Sequence, residues 1–255
     1  MQDLRVTLVQ CHQIWENKTA NLSHFSKLLE EAQPVTDILI FPEMFQTGFS
    51  MNASSLAESM NGESILWLTE MAQKYNTAVV ASLIITENNC FYNRMVFVEP
   101  DGTITSYNKR KLFGLASEEK TYTPGEEEVI LVYKGWNIRL QVCYDLRFPE
   151  IQRNKVTDGK YDYDLMINVA NWPEKRSLHW KTLLRARAIE NQCYHVGVNR
   201  VGDGNGLKYS GDSAVINPLG EALVDIFQNE KVETVLLSKN LLAEVRERMP
   251  FLKDR

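Results

Sequence analysis

Glu43, Cys143 and Asn171 each stand at the end of a run of apolar residues. Short apolar runs of this kind are typical of buried strands. In layered α/β sheets, ligands bind beyond the carboxyl ends of the strands. If the three strands are neighbours and run in the same direction, the carboxylate, the thiol and the amide converge on one site.

Cys143 is the candidate nucleophile. Most free cysteines pack as small hydrophobes, but the polar residues Tyr144, Asp145 and Arg147 follow this one and predict a turn into a helix. A helix N-terminus lowers the pKa of a thiol and offers backbone N–H groups to an oxyanion. A thiol in this position can form a covalent intermediate with an acyl group.

A base for this thiol is not evident among the histidines. The four are His12, His24, His179 and His195, and they show no Cys–His dyad pattern: His24 and His179 lie on helices without a nearby nucleophile, and His195 at a strand start is expected to be packed or solvated. A carboxylate would therefore have to take the proton. Glu43 is the candidate, because a carboxyl group in apolar surroundings has a raised pKa and can move protons near neutral pH. A solvated loop carboxylate is the commoner alternative.

Lys109 begins the basic run 109–111. Strand alternation would place Tyr107, Lys109 and Lys111 on one face and Arg110 on the other. A buried ammonium group could stabilise a developing oxyanion. The alternative is a solvated basic run without a catalytic role.

Together, residues 41–43, 107–113 and 142–150 resemble the glutamate, lysine and cysteine motifs of the nitrilase superfamily of carbon–nitrogen hydrolases, in the family's order and spacing. The resemblance extends over nearly the whole chain, with further matches at residues 171–173, 187–191 and 211–213. It implies a catalytic triad of Glu43, Lys109 and Cys143. The chain departs from the family at Lys111, where many members have histidine.

Many members of this superfamily carry a second active-site glutamate before a Pro-Gly pair. Pro124-Gly125 is that pair here, and Glu118 fits the position best. Glu119 is the competing choice because loop lengths vary. For both residues the alternative is a solvated acidic loop.

Within the superfamily the chain resembles the omega-amidases, which act on omega-amides of 2-oxo dicarboxylic acids such as 2-oxoglutaramate. The resemblance implies hydrolysis of a small carboxylated amide to acid and ammonia through a cysteine thioester, with no metal or organic cofactor. Arg147 is a candidate for the substrate carboxylate, although an internal ion pair with Asp145 or Glu150 is equally expected. The candidate substrate-binding residues are Phe45, Phe113, Tyr144, Arg147, Asn171 and Trp172.

Other activities remain open at this point. Related triads serve general aliphatic amidases, nitrilases and N-carbamoyl hydrolases. A different class of function would be a non-catalytic binding protein on the same fold, or a thiol sensor. A sensor often has a resolving cysteine near the reactive one, and Cys11, Cys90 and Cys193 are all distant from Cys143 in the sequence.

Strand and helix patterns alternate along the chain and predict an α/β (α+β layered) fold. The strongest strand signals are residues 4–10, 37–41, 78–85, 138–142, 165–170 and 194–201, and helical spacing marks 17–33, 65–75, 178–191 and 241–248. Hairpins about residues 100–102 and 218–220 suggest internal pseudo-symmetry. The resemblance implies a four-layer α-β-β-α sandwich with two central mixed sheets.

The composition limits the classes of partner that the chain is expected to bind. The chain has 255 residues, 44% hydrophobic and 24% charged, with a net charge of −5 and no long basic run, which argues against nucleic acid. It shows no signal peptide, no apolar stretch of roughly 20 residues and no linker. We therefore expect one domain over residues 1–255, a cytoplasmic location without membrane contact, and reduced cysteines. The resemblance adds a homodimer or larger homo-oligomer.

Overall fold

The structure is a computed structural model that describes residues 2–254. Its strands are β1 Leu4–Gln10, β2 Ile38–Ile40, β3 Ala78–Glu87, β4 Cys90–Val98, β5 Ile104–Asn108, β6 Ile130–Tyr133, β7 Trp136–Val142, β8 Val156–Thr157, β9 Lys160–Tyr161, β10 Leu165–Ala170, β11 Tyr194–Asn199, β12 Val201–Gly204, β13 Leu207–Ile216, β14 Ala222–Phe227 and β15 Lys231–Leu237. Its α-helices are α1 Lys18–Ala32, α2 Ala53–Leu56, α3 Glu63–Tyr75, α4 Ser177–Asn191 and α5 Lys239–Arg248.

Two mixed sheets form the centre of the molecule. Within residues 2–254, the first sheet has the strand order β15-β1-β2-β3-β4-β5, and the second has the order β12-β13-β11-β10-β7-β6 with β14 paired to β13. In the first sheet, β1, β2 and β3 are parallel, and β4 and β5 return antiparallel. In the second, β7, β10 and β11 are parallel, and β13 and β14 return antiparallel. The identical pattern confirms the pseudo-symmetry that the two hairpins suggested.

The layers follow from where apolar side chains are buried. The largest core lies between the sheets, and it joins residues such as Val6 and Ile40 from the first to Leu140 and Val169 from the second. A second core packs α1 and α3 against the outer face of the first sheet. A third core packs α4 against the second sheet around Trp180. The fold is thus the layered α-β-β-α sandwich that was expected.

One expectation about the strands is wrong. Glu43 follows β2 in the first sheet, whereas Cys143 follows β7 and Asn171 follows β10 in the second, where β7 and β10 are parallel neighbours. The three strands therefore do not share one sheet. Their ends meet because the two sheets pack face to face, and this arrangement brings Glu43 of one sheet against Asn171 of the other.

Candidate active site

A cavity of about 220 Å³ opens where the ends of the two sheets meet. Its charged lining consists of Glu43, Lys109, Arg147 and Arg176, and Cys143 stands among them. Phe113, Tyr144, Asn171 and Trp172, four of the residues expected to bind substrate, also line it. The side chains proposed from the three sequence motifs thus face one common space.

Glu43 is fully buried and is held by partners from three elements. Its Oε1 accepts hydrogen bonds from Lys109 Nζ at 3.0 Å and from Asn93 Nδ2, on β4, at 2.7 Å. Its Oε2 accepts from the backbone N–H of Asn171 at 2.8 Å. The side chain of Asn171 in turn donates to the Glu43 carbonyl. These contacts fix the carboxylate rather than leaving it in a solvated loop.

Glu118 is also fully buried, and both its carboxylate oxygens accept from Lys109 Nζ, at 3.0 and 2.9 Å. The backbone N–H of Phe113 donates to it at 2.6 Å. Glu119 is exposed. Of the two glutamates weighed from the sequence, the structure therefore places Glu118 in the cluster.

The Pro-Gly pair has a steric role beside this cluster. The N–H of Gly125 donates to the Lys109 carbonyl at 2.8 Å, which brings its loop against the end of β5. A Cβ on Gly125 would lie 2.2 Å from the Asn108 carbonyl oxygen. Only glycine permits this approach, so Gly125 helps to fix the backbone that carries Lys109.

The cluster of Glu43, Lys109 and Glu118 controls the protonation of the ammonium group. Burial by itself disfavours the charged lysine, but the neighbouring charges of Glu118 and Glu43 outweigh it and raise the pKa of Lys109 above its ordinary value. Burial raises the pKa of Glu118, against the opposing charge of Lys109, and the charge of Glu43 adds to the rise. Lys109 is therefore a permanent cation at neutral pH.

Cys143 begins a 3₁₀ turn, Cys143–Arg147, with its own backbone in the left-handed region at φ 43°. The expected lowering of its pKa is wrong. Burial raises the pKa of this thiol well above its ordinary value, the charge of Glu43 and a hydrogen bond with Glu43 add to the rise, and Lys109 opposes them. A five-residue 3₁₀ turn does not offset these effects, so the resting group is a thiol that needs a base.

Asp145 connects the lysine and cysteine segments. It is fully buried, and its carboxylate accepts from the Tyr107 hydroxyl at 2.7 Å, from the N–H of Val142 at 2.9 Å and from the N–H of Lys111 at 2.8 Å. Asp145 is thus committed to backbone and tyrosine donors. It does not form the internal ion pair with Arg147 that was the alternative role for that arginine.

Aromatic rings form part of the cavity wall. The guanidinium carbon of Arg147 lies 4.6 Å from the ring centre of Trp172, and that of Arg176 lies 5.3 Å from the ring centre of Phe113. Phe113 packs edge-on against Tyr144, with ring centres 5.0 Å apart. A cation above an aromatic face is held without an acidic partner.

The structure places Phe45 away from the cavity. Its side chain is fully buried in the core beneath α1 and α3, against Phe25, Phe41 and Trp67. Phe49 stands at the cavity instead, with its ring centre 5.0 Å from Lys109 Nζ. The apolar character of Phe45 in the sequence could not distinguish a core position from a pocket wall.

Several residues that line the cavity or bind Glu43 were not found from the sequence. Asn93 lies within an apolar strand, and its polarity among hydrophobic neighbours was a usable signal. Arg176 lies in the polar run 174–176 and gave none. Tyr209 and Asn205 reach the cavity from the β12–β13 hairpin, which the sequence pattern did not predict.

The comparisons with known proteins agree with this geometry. A family model described as carbon-nitrogen hydrolase matches residues 5–247. The chain belongs to the carbon–nitrogen hydrolase family. It is 45% identical over 259 aligned positions to the omega-amidase YafV of Escherichia coli strain K12, over 100% of this chain and 97% of the relative.

Two further relatives extend the agreement. The chain is 32% identical to the 2-oxoglutaramate amidase of Bacillus subtilis strain 168, over 92% of this chain and 90% of the relative. A CN-hydrolase superfamily protein from Xanthomonas campestris, solved with an arsenic adduct in its active site, is 42% identical, with a TM-score of 0.98 over 100% of this chain and 98% of that one. The protein is an amidohydrolase of the nitrilase superfamily.

The described part of this hydrolase contains neither a metal-binding cluster nor a membrane-spanning helix. Among residues 2–254, no three His, Cys, Asp or Glu side chains are grouped so that they could hold a metal ion. In the same range no helix is long and apolar enough to cross a membrane. All four cysteines are free, and only Cys143 lines the cavity in the described part of the chain. This placement gives a thiol sensor no resolving cysteine inside the site.

Proposed function

We propose that this hydrolase cleaves the omega-amide of a 2-oxo dicarboxylic acid, such as 2-oxoglutaramate, to the acid and ammonia through a thioester on Cys143. The observation that carries the proposal is a small cavity with a thiol, a carboxylate and an ammonium group at its inner end and the guanidinium of Arg147 on its wall. The similarity to two named amidases of such amides supports the substrate class.

The first half of the reaction forms the thioester. Glu43 takes the proton of the Cys143 thiol while the sulfur attacks the amide carbon. The ammonium of Lys109 and the backbone N–H of Tyr144 stabilise the negative oxygen of the tetrahedral intermediate. Glu43 then gives its proton to the amide nitrogen, the carbon–nitrogen bond breaks and ammonia leaves.

The second half releases the acid. A water molecule loses a proton to Glu43 as its oxygen attacks the thioester carbon. The carbon–sulfur bond breaks, Glu43 returns the proton to the departing sulfur, and the carboxylic acid dissociates. Because one carboxylate accepts and returns the proton in both halves, its fixed position between Lys109 and Asn171 is the central requirement.

Glu118 acts through Lys109. Its two short contacts orient the ammonium group and balance part of its charge in a buried site. Glu118 also fixes the backbone at Phe113, which lines the cavity. We assign it a positioning role.

The direct test is ammonia release from 2-oxoglutaramate and 2-oxosuccinamate by the wild-type enzyme and by Cys143→Ala. We expect turnover in the wild type and a loss of at least about 10,000-fold in the variant, as for other removed nucleophiles. Cys90→Ala is the matched control, because Cys90 is only partly buried and does not line the cavity. Acid quenching during turnover should trap an acyl group on Cys143, detected by peptide mass spectrometry.

Two results would contradict the proposal. Activity that survives in Cys143→Ala would rule out a mechanism through a thioester on Cys143. Rapid turnover of nitriles or N-carbamoyl compounds, without turnover of the 2-oxo acid amides, would replace the substrate class.

We also propose that the enzyme assembles as a homodimer or larger homo-oligomer through α4. Leu178 and Ile189 lie eleven residues apart on one face of this helix and are 73% and 49% exposed. The helix packs on the cysteine turn, where Arg187 donates to the Leu146 carbonyl at 2.9 Å. Light scattering should show a multimer in the wild type and a shift to monomer in Leu178→Asp. A monomeric wild type would refute this assembly.

A further inference from the structure

A second guanidinium group, that of Arg176, lies on the same cavity wall as Arg147. Arg176 ends the 3₁₀ turn Glu174–Arg176 and is half-buried. Its backbone carbonyl accepts from the indole N–H of Trp172 at 2.8 Å, so one local structure supports Arg176 and the ring beneath Arg147. The two cations are therefore held as a pair.

This pair lacks an acidic partner. Burial lowers the pKa of Arg147, and the positive charge of Arg176, which lines the same cavity, lowers it further. In the described part of the chain neither makes an ion pair. Arg147 lies instead within hydrogen-bond distance of Nδ1 of His179, at 3.2 Å. Two adjacent cations without a counter-ion form a site for an anion.

The rest of the cavity lining strengthens the preference of this wall for an anion over a cation. Its single carboxylate within residues 2–254 is Glu43, and Lys109 already binds that group at the inner end. The wall around Arg147 and Arg176 therefore offers no free carboxylate to a substrate ammonium group. A cation placed there would meet two like charges in a partly desolvated space, where such repulsion is stronger than in water.

We propose that Arg176 is the residue that makes this hydrolase select the amide of a 2-oxo acid over the amide of the corresponding 2-amino acid. This inference rests on the proposed function. Both substrates carry a carboxylate that Arg147 can bind, but they differ beside it. The 2-oxo group is neutral and can accept a hydrogen bond from a guanidinium, whereas an ammonium is repelled by one.

The experiment compares kcat and KM for three amides of equal length and one uncharged amide. These are 2-oxoglutaramate, L-glutamine, glutaramate, which has no group beside its carboxylate, and pentanamide. The variant is Arg176→Gln, and Arg176→Lys restores the charge. Lys175→Gln is the matched control, since Lys175 is exposed in the same turn and does not line the cavity.

In Arg176→Gln we expect the preference for 2-oxoglutaramate over glutamine, expressed as the ratio of kcat/KM values, to fall about tenfold or more, the scale of one lost charge interaction in a specificity pocket. The change should come from a higher KM for 2-oxoglutaramate and a lower KM for glutamine. We expect kcat for pentanamide to stay within about twofold, because an interaction that acts on binding alone leaves kcat unchanged. Arg176→Lys should retain most of the preference, and Lys175→Gln all of it.

Each other outcome is informative. If the wild type hydrolyses 2-oxoglutaramate and Arg176→Gln keeps the same preference over glutamine, the role of Arg176 is wrong and the proposed function stands. If Arg176→Gln lowers kcat for every amide, including pentanamide, the residue is structural and the inference is also wrong. If the wild type hydrolyses no carboxylated amide, the proposed function fails and the inference fails with it.

Discussion

The two ends of the cavity hold their charges in different ways. At the inner end, Lys109 is buried and bonded to two buried carboxylates at 2.9 to 3.0 Å. On the wall, Arg147 and Arg176 rest on aromatic rings and have no acidic partner in the part of the chain that the structure describes. The inner charges are positioned before substrate arrives, whereas the charges on the wall are free to bind it.

The two ends of the cavity meet two different requirements of an enzyme, which are transition-state stabilisation and substrate selection. Groups that stabilise a transition state must be fixed beforehand, because reorganising them during the reaction raises the barrier. Groups that choose the substrate need unused hydrogen-bonding capacity. Substitutions at the inner end should therefore reduce both stability and kcat, while substitutions on the wall should change KM and specificity.

The largest effect is expected for Lys109→Met. This change leaves Glu43 and Glu118 as buried carboxylates without their cation, and breaking a buried ion pair costs about 3–5 kcal/mol of unfolding free energy. We expect kcat to fall by about a hundred- to a thousandfold, the effect of losing one oxyanion donor. Denaturant unfolding and ammonia release measure the two losses, with Lys111→Met as control. A stable, active Lys109→Met enzyme would remove the distinction between the two ends.

Tyr107→Phe tests whether the inner end depends on its supports. The change removes the hydroxyl that donates to Asp145 at 2.7 Å and leaves a buried carboxylate oxygen short of one donor. We expect a loss of about 1–3 kcal/mol in unfolding free energy. kcat should fall more than KM rises, because Asp145 holds the turn that carries Cys143. A variant with unchanged kcat would show that this turn is fixed by other contacts.

We expect acid to lower the free energy of unfolding through a residue that lies outside both ends of the cavity. His195 on β11 is fully buried, and burial lowers its pKa to about 3. Between about pH 6.5 and pH 3 the unfolded chain binds a proton that the folded state excludes, so stability falls by roughly 1.4 kcal/mol per pH unit. Unfolding free energies between these pH values should decline less steeply in His195→Gln, whereas the exposed His179→Gln should follow the wild type. Equal slopes would place the acid sensitivity elsewhere.

The smallest effect on the enzyme itself is expected for Arg147→Lys. Charge is retained, but the planar group that binds a carboxylate with two parallel hydrogen bonds is lost. We expect KM for 2-oxoglutaramate to rise about tenfold, the scale of one charge-assisted bond, with kcat for pentanamide and the unfolding midpoint unchanged. A loss of stability would show that Arg147 belongs with the fixed inner charges.

The sequence predicted the buried central strands more reliably than the exposed edge strands. The central strands β1, β2, β7 and β10 are almost wholly buried, and the structure has a strand at each of these predicted positions. β15 was missed because six of its seven residues are exposed or half-buried without regular alternation, and they include Lys231 and Glu233. Periodicity is weak in such an edge strand, and only its pairing with β1 defines it.

The candidate site was predictable as a set of residues but not as an arrangement. The order of Glu43, Lys109 and Cys143 along the chain carried the resemblance, yet it did not show that the glutamate and the cysteine come from different sheets. Spacing likewise could not predict the raised pKa of the thiol, which depends on burial and on the charge of Glu43. Arg176 was missed because a short polar run has the same sequence pattern whether or not one member faces a cavity.

The left-handed backbone of Cys143 affects how this enzyme would respond to directed evolution. A residue with a side chain is strained in this region by about 1–2 kcal/mol, and glycine is not. Cys143→Gly would relieve the strain and destroy the nucleophile in the same step. Selection of this enzyme for heat tolerance alone would therefore reward inactive molecules, so a screen for robust variants has to demand turnover in every round.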